Sequence, residues 1–322
     1  MGMDRIDGTD TGETTEGRAG TERPPADLPG SEDSLSRAES RRGALAANEK
    51  PTPAGPETAV DAYEPEPYAK RLDIPIADDQ PTPREILRGF RPTEAGLPEI
   101  GEGRAAEYIA ENADRRPWLA QAKDCDPAAM RVLVAMDMGQ GHALERHEGH
   151  ADDERLQRRV TGFQDPAQLD DAKRFAGIDG LKPGNRPHRC ADTATAIQDP
   201  EAFATAFARG VRHPSVRDAL ETPFVAGKVP QGVALTVEDL LGVGGHRYCS
   251  AYALEPVDGS LDEALRRRAD WVTAKRTSNQ DSDVPEPTCV PVEIRDDAKI
   301  KFYFRPNRDM NGYEISTMYV EP

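Results

Sequence analysis

The chain has 322 residues, with 58 acidic and 41 basic side chains and a formal charge of −17; the excess is densest in the first 120 residues, where 15 basic side chains face 25 acidic ones. Such a balance repels nucleic acid at long range, so an RNA or DNA partner has to be met by a local basic patch. Aromatic residues at 6% and a mean hydropathy of −0.71 confine a large core to part of the chain, and no apolar run reaches the ~18 residues of a membrane-spanning helix.

The opening "MGMDRIDGTDTGETTEG" lacks the basic-then-apolar pattern of a secretory signal peptide. Residues 1–82 are rich in Gly, Pro, Thr, Glu and Asp and carry almost no periodic apolar pattern, so they are expected to be disordered. Between 83 and 125, "PREILRGF" and "GRAAEYIAENADRRPWLAQA" read as short amphipathic helices in which Tyr108, Ile109, Trp118 and Leu119 have apolar surface to pack; this segment is expected to be a helical connector.

From 126 to 322 the pattern is that of a folded domain. "RVLVAMDMGQGHALERHEG" predicts one helix ended by Gly149, and "DDERLQRRVTGF" restarts one with acids in its first turn and arginines in its last, as the helix dipole favours. "DPEAFATAFARGV" places Asp199 at an N-cap and Pro200 at the first helical position. "GVALTVEDL", "RYCSAYALE", "CVPVEIR" and "KIKFYFRPNRDMNGYEISTMYV" then read as strands, the last as a hairpin turning at Asn311-Gly312. Helices followed by an antiparallel sheet make an α+β domain. Cys125, Cys190, Cys249 and Cys289 form no CxxC pair; their even number permits two disulfides, which a chain this long does not need.

Residues 141–159, "GHALERHEGHADDERLQRR", hold three of the six histidines and four arginines. As a metal site, His142, His147 and His150 fail on geometry: His142 lies well round the helix from His147, and "HEGH" lacks the spacing of HExxH. Pairing His147 with Arg158 brings a base and a fixed positive charge together, a combination suited to phosphoryl chemistry. The bland reading is a pair of solvated helices. In "GYEISTMYVEP", Thr317 and Tyr319 are two apart and share one strand face, although both types are also simply common in strands.

The stretch "GQGHALERHEGHADDERLQRR" resembles the opening of the bacterial ribonuclease A-like toxin domain, found at the C-termini of contact-dependent growth inhibition and other polymorphic toxins. There a histidine-bearing helix precedes a "T-D-x-x-L-x-x-R" segment, and the chain ends in a strand close to "T-A-Y-P". The resemblance covers roughly residues 130–322. It sets the catalytic histidine on His147, the arginine on Arg158, the middle signature on "TAIQDPEAFA", and the terminal Thr-x-Tyr on Thr317 and Tyr319. Glu148, His150 and Ala151 stand where the family has valine, lysine and an N-cap threonine; Glu148 would either raise the pKa of His147 or face solvent.

The resemblance implies a ribonuclease A-like fold, N-terminal helices packed on a twisted antiparallel sheet, without that enzyme's disulfides. It implies metal- and cofactor-independent endoribonuclease activity, in which the ribose 2′-hydroxyl attacks phosphorus to leave a 2′,3′-cyclic phosphate and DNA is inert. His147 would be the acid-base group, Arg158 would stabilise the phosphorane, Thr317 would bind phosphate or base, and Tyr319 would move a proton, with acid and base roles open between His147 and Tyr319. Lys182, Arg186 and Arg189 in "LKPGNRPHR", and Arg266, Arg267, Lys275 and Arg276 in "EALRRRADWVTAKR", are candidate RNA-binding side chains or equally solvated surface. The implied setting is a monomeric secreted or injected effector, acting in a target-cell cytoplasm and neutralised by a cognate immunity protein. The alternatives are a non-catalytic binding or adaptor module on the same fold, and a metal-dependent nuclease using His142, His147 and His150.

Overall fold

The computed structural model describes residues 68–139, 141–277, 284–307 and 311–322. The expectation for residues 1–67 lies outside this range. Residues 68–82 were grouped with them, but the structure places them in the domain: α1 (Tyr68–Arg71) buries Tyr68, and Leu72 follows it into the core.

The segment 83–125 is likewise part of the domain and not a connector. α2 (Pro83–Gly89) begins where the Thr82 hydroxyl accepts from the Glu85 N–H and the Glu85 carboxylate accepts from the Thr82 N–H at 2.8 Å, with proline at the first helical position. Its apolar face is too small to stand alone, so Ile86, Leu87 and Phe90 join the main core, where Phe90 meets Phe207 edge-on at 6.1 Å. α3 (Glu102–Asn112) and α4 (Pro117–Ala120) add Ala105, Ile109, Trp118 and Leu119.

The apolar run after Asp126 forms α5 (Pro127–Met138), capped by the Asp126 carboxylate at the Ala128 N–H, 2.9 Å. It stops at Gly139, and a separate five-residue helix, α6 (Ala143–His147), carries the histidine motif. The single long helix expected here is therefore broken before His142. Gly141 explains the break: a Cβ there would lie 2.9 Å from the Ile315 carbonyl oxygen, so the chain passes against the last strand as only glycine can. α7 (Asp153–Gly162), capped by Asp152 at the Arg155 N–H, and the short α8 (Asp171–Phe175) follow.

α9 (Pro200–Arg212) forms as its cap signal predicts, with Asp199 accepting from the Ala202 N–H at 2.8 Å. Alanines on most of its surface let neighbours close in, and at Gly210 the Phe302 ring takes the space of a side chain, since a Cβ would be 2.1 Å from Phe302 Cζ. α10 (Pro214–Glu221) and α11 (Val237–Leu241) flank it; α11 replaces the second half of the expected strand "GVALTVEDL" because Thr236 and Asp239 form a capping box there. α12 (Leu261–Thr277) is the longest helix among the described residues.

The strands make two small antiparallel sheets rather than one. β1 (Thr193–Ile197) pairs with β3 (Cys249–Leu254), which pairs with β4 (Cys289–Pro291). β2 (Val233–Thr236) pairs with β5 (Lys299–Asn307), which pairs with β6 (Gly312–Glu321). Register sets Asn307 opposite Gly312, so Asn311, at φ +49°, ends the hairpin connection instead of opening a two-residue turn. The second sheet packs its Ile300, Phe302, Ile315, Met318 and Val320 against α9 in the main core; the first covers a smaller cluster of Leu156, Val160, Ala194, Ala196, Leu254 and Ala264. The mixed α+β class is thus present, and all four cysteines are free thiols.

Because Leu87 is wholly buried against the main core, Leu87→Ala should lower the unfolding free energy by about 2–5 kcal/mol, measured by urea denaturation. A true connector would leave it unchanged.

Candidate active site

Three pieces of chain converge on β6. A register shift between Tyr303 and Phe304 leaves Ser316 as an extra residue in β6, and its carbonyl accepts the His142 N–H at 2.9 Å, anchoring the start of α6. Past this bulge, Thr317 and Tyr319 point away from the apolar core face of Met318 and Val320, as strand alternation requires. Across the ladder Tyr303 pairs with Thr317 and Lys301 with Tyr319, so these side chains share one polar face with Arg305.

His147, at the end of α6, is only 8% exposed and stacks on Tyr319 with ring centroids 5.4 Å apart. Tyr319 stacks in turn on Tyr303 at 5.7 Å, and the two phenol oxygens are 3.4 Å apart. His147 Nδ1 lies 3.0 Å from the Thr195 carbonyl oxygen. A carbonyl only accepts, so Nδ1 carries the proton and Nε2 is left as the ring's acceptor. Thr195 also donates its hydroxyl to the Val320 carbonyl at 2.7 Å, tying β1, the histidine and β6 together. The Thr317 hydroxyl is buried and has no hydrogen-bond partner among the described residues.

Arg158 does not belong to this group. It is exposed and ion-paired with Glu154 one helical turn earlier. The next residue, Arg159, turns inward, donating from Nη1 to the Arg146 carbonyl at 3.2 Å and from Nε to His188 Nε2 at 3.3 Å. It is buried, forms no ion pair with a carboxylate among the described residues, and is the strongest charge acting on His147. The reason for the one-residue shift is the cap: Asp152, not Ala151, starts α7. Counted from Asp152, the spacing cap, then Leu four residues on, then Arg three further falls on Leu156 and Arg159, a signal already present in the sequence.

A buried charge cluster supports α6 from behind. Arg146 donates to Asp165 at 2.9 and 2.7 Å and to Asp179 at 2.9 Å. His188 Nδ1 sits 3.5 Å from each of these carboxylates, and since its Nε2 accepts from Arg159, Nδ1 is the protonated nitrogen facing them. Burial pushes both carboxyls up, but the His188 and Arg146 contacts outweigh it and hold them below the ordinary range. Asp165, Asp179 and His188 form the one cluster of metal-ligand type among the described residues, with ligand atoms within 4.8 Å of one another. Arg146 already pairs with both carboxylates, so these residues fit an ion-paired cluster rather than a metal site.

His142, His147 and His150 form no ligand cluster, which overturns the metal alternative built on them. His150 is buried beside Trp118 at 5.6 Å between ring centroids and takes Glu148 as partner at 3.3 Å. Glu148 is fully buried, neither facing solvent nor raising His147. Burial, reinforced by Arg159, holds His147 well below 6.5, and burial with Arg146 lowers His142 to about 4.

The basic stretches lie elsewhere. Lys182, Arg186 and Arg189 are exposed on one loop, with Lys182 3.8 Å from Asp179. On α12, Arg266 pairs with Glu263, Arg267 is half-buried, Lys275 lies over the Trp271 ring at 5.5 Å, and Arg276 donates to the Ala176 and Gly177 carbonyls at 2.6 and 3.0 Å. That last contact brings the two stretches side by side, since Ile178 bridges Pro187.

No protein-family model, curated protein or solved structure matches this chain. The site therefore has to be read from its own geometry.

His142, His147 and His188 all have folded pKa values below the free-histidine value of 6.5. The native state then binds fewer protons than the unfolded chain, so their contribution is complete above pH ~6.5 and is lost as pH falls toward the folded values. Glu145, raised to about 7 by burial, opposes them. A His142→Gln variant, with one of these groups removed, should show a smaller fall in Tm between pH 7 and pH 5 than the parent. In NMR titration of the parent, the His142 ring should give a midpoint near 4.

Proposed function

We propose that this domain is a metal-independent endoribonuclease on a ribonuclease A-like arrangement of helices over antiparallel strands. The observation that carries the reading is a neutral, tautomer-fixed His147 stacked on Tyr319, whose strand face also carries a Thr317 hydroxyl with no hydrogen-bond partner among the described residues, and a buried Arg159 that no described carboxylate pairs directly. Arg159 meets the carboxylates of the buried cluster only through His188, and a phosphate is a natural direct partner for its guanidinium.

In this reading His147 Nε2 takes the proton of the ribose 2′-hydroxyl, whose oxygen attacks the adjacent phosphorus. Arg159 and the Thr317 hydroxyl stabilise the charge that builds on the phosphoryl oxygens. The P–O5′ bond breaks as the Tyr319 phenol protonates the leaving oxygen, giving a 5′-hydroxyl and a 2′,3′-cyclic phosphate. A histidine held well below 6.5 serves as base and not as acid at neutral pH, which assigns the acid role to the tyrosine. DNA, lacking the 2′-hydroxyl, is not cut. The toxin role, the cognate immunity protein and effector delivery rest on the sequence resemblance alone.

The full chain incubated with total RNA in EDTA should yield fragments ending in cyclic phosphate. His147→Ala should slow this by about 10²–10⁴-fold, and Arg159→Lys by at least an order of magnitude, whereas Arg158→Ala should retain parental activity. Intact RNA after digestion would leave a binding module as the reading; loss of cleavage in EDTA would point to a metal nuclease. The acid limb of kcat/KM should fall well below pH 6.5, following the depressed His147.

A further inference from the structure

Beside α6 lies a cleft of about 490 Å³, lined by Asn112, Arg115, Arg116, Asp137, Glu145 and Leu169 among others. Its volume is in the range of small-ligand sites. Asp137 is saturated: it accepts from the Tyr108 hydroxyl at 2.8 Å, from Trp118 Nε1 at 2.6 Å and from Arg116. Glu145 is different. It is 9% exposed, and its carboxyl takes no hydrogen bond from any described residue other than its own backbone N–H. The exposed Arg115 guanidinium, at the rim, likewise has no ion pair or hydrogen bond with a described residue.

A ligand that satisfies this cleft brings hydrogen-bond donors to a carboxylate and negative charge to a guanidinium, with a flat body against the half-exposed Leu169 side chain. Guanine presents two adjacent donors, N1–H and N2–H, that match the two oxygens of one carboxylate; adenine and cytosine present a single amino group. Glu145 stands two residues before His147 on the same short helix, so the two side chains leave it about 200° apart, and an RNA that reaches the proposed catalytic group has to pass round α6 to place a base here.

We propose that this cleft is a guanine-nucleotide subsite, with the Glu145 carboxylate accepting from N1–H and N2–H and Arg115 binding the phosphate. The identity of the ligand rests on the ribonuclease reading above. Asp137, Arg116 and Arg146 are the charged groups acting on Glu145, and burial is the main cause of its elevation to about 7, so the subsite is tested at pH 8, where the carboxyl is ionised.

Calorimetric titration of the full chain at pH 8 with GMP, AMP, CMP and inorganic phosphate should show GMP bound about tenfold or more tightly than AMP or CMP. Glu145→Gln is nearly isosteric, yet its amide sets a donor against the guanine donors; it should bring GMP down to the AMP level. Arg115→Ala, at an exposed position, should weaken GMP while leaving guanosine unchanged. Equal affinity for all three nucleotides, no binding of GMP, or inorganic phosphate bound as tightly as GMP would each overturn the proposal. Circular dichroism of both variants checks that they fold. GMP binding needs no bond cleavage, so selective binding by a protein that leaves RNA intact would keep this subsite while removing the ribonuclease reading.

Discussion

The arrangement of the domain depends on how Arg146, Asp165, Asp179 and His188 are kept together out of water. Charges buried this deeply are tolerated only when each is paired and its remaining donors and acceptors are met. Arg146 comes from α6, Asp165 from the turn after α7, and Asp179 and His188 from two ends of the loop that precedes β1. Removing one partner from such a cluster typically costs ~3–5 kcal/mol, far more than a five-residue helix could supply from its own propensity. α6 is therefore held by its polar environment more than by its backbone, and His147 inherits its position from that cluster.

The same cluster balances its own charge. Two guanidiniums, Arg146 and Arg159, stand against two carboxylates, Asp165 and Asp179, with the uncharged imidazole of His188 between Arg159 and the acids. Arg159 has no direct ion pair with a carboxylate among the described residues, and its charge adds to burial in lowering His147.

Much of this was legible in the sequence where local chemistry decides. The Asp199-Pro200 start of α9 and the alternation that sets Thr317 with Tyr319 both follow from short-range patterns. What failed did so for longer-range reasons. The helix through 131–148 was broken by a contact of Gly141 with a strand some 175 residues away in sequence. Residues 83–125 carry modest apolar faces whose partners, α5 and α9, no local pattern identifies. Arg158 fits the motif only with the cap at Ala151; with the cap at Asp152, the spacing through Leu156 selects Arg159. Thr195 left no trace, since what it gives His147 is a main-chain oxygen.

That last point bears on how the site can change over time. Side-chain partners of a histidine are lost by single substitutions, whereas a carbonyl belongs to every residue type. Any residue that keeps β1 in register at position 195 preserves the acceptor, and with it the tautomer of His147. The proton inventory of the ring is thereby written into the pairing of a sheet, where it is shielded from drift in the genetic code's choice of amino acid and exposed only to events that shift a strand.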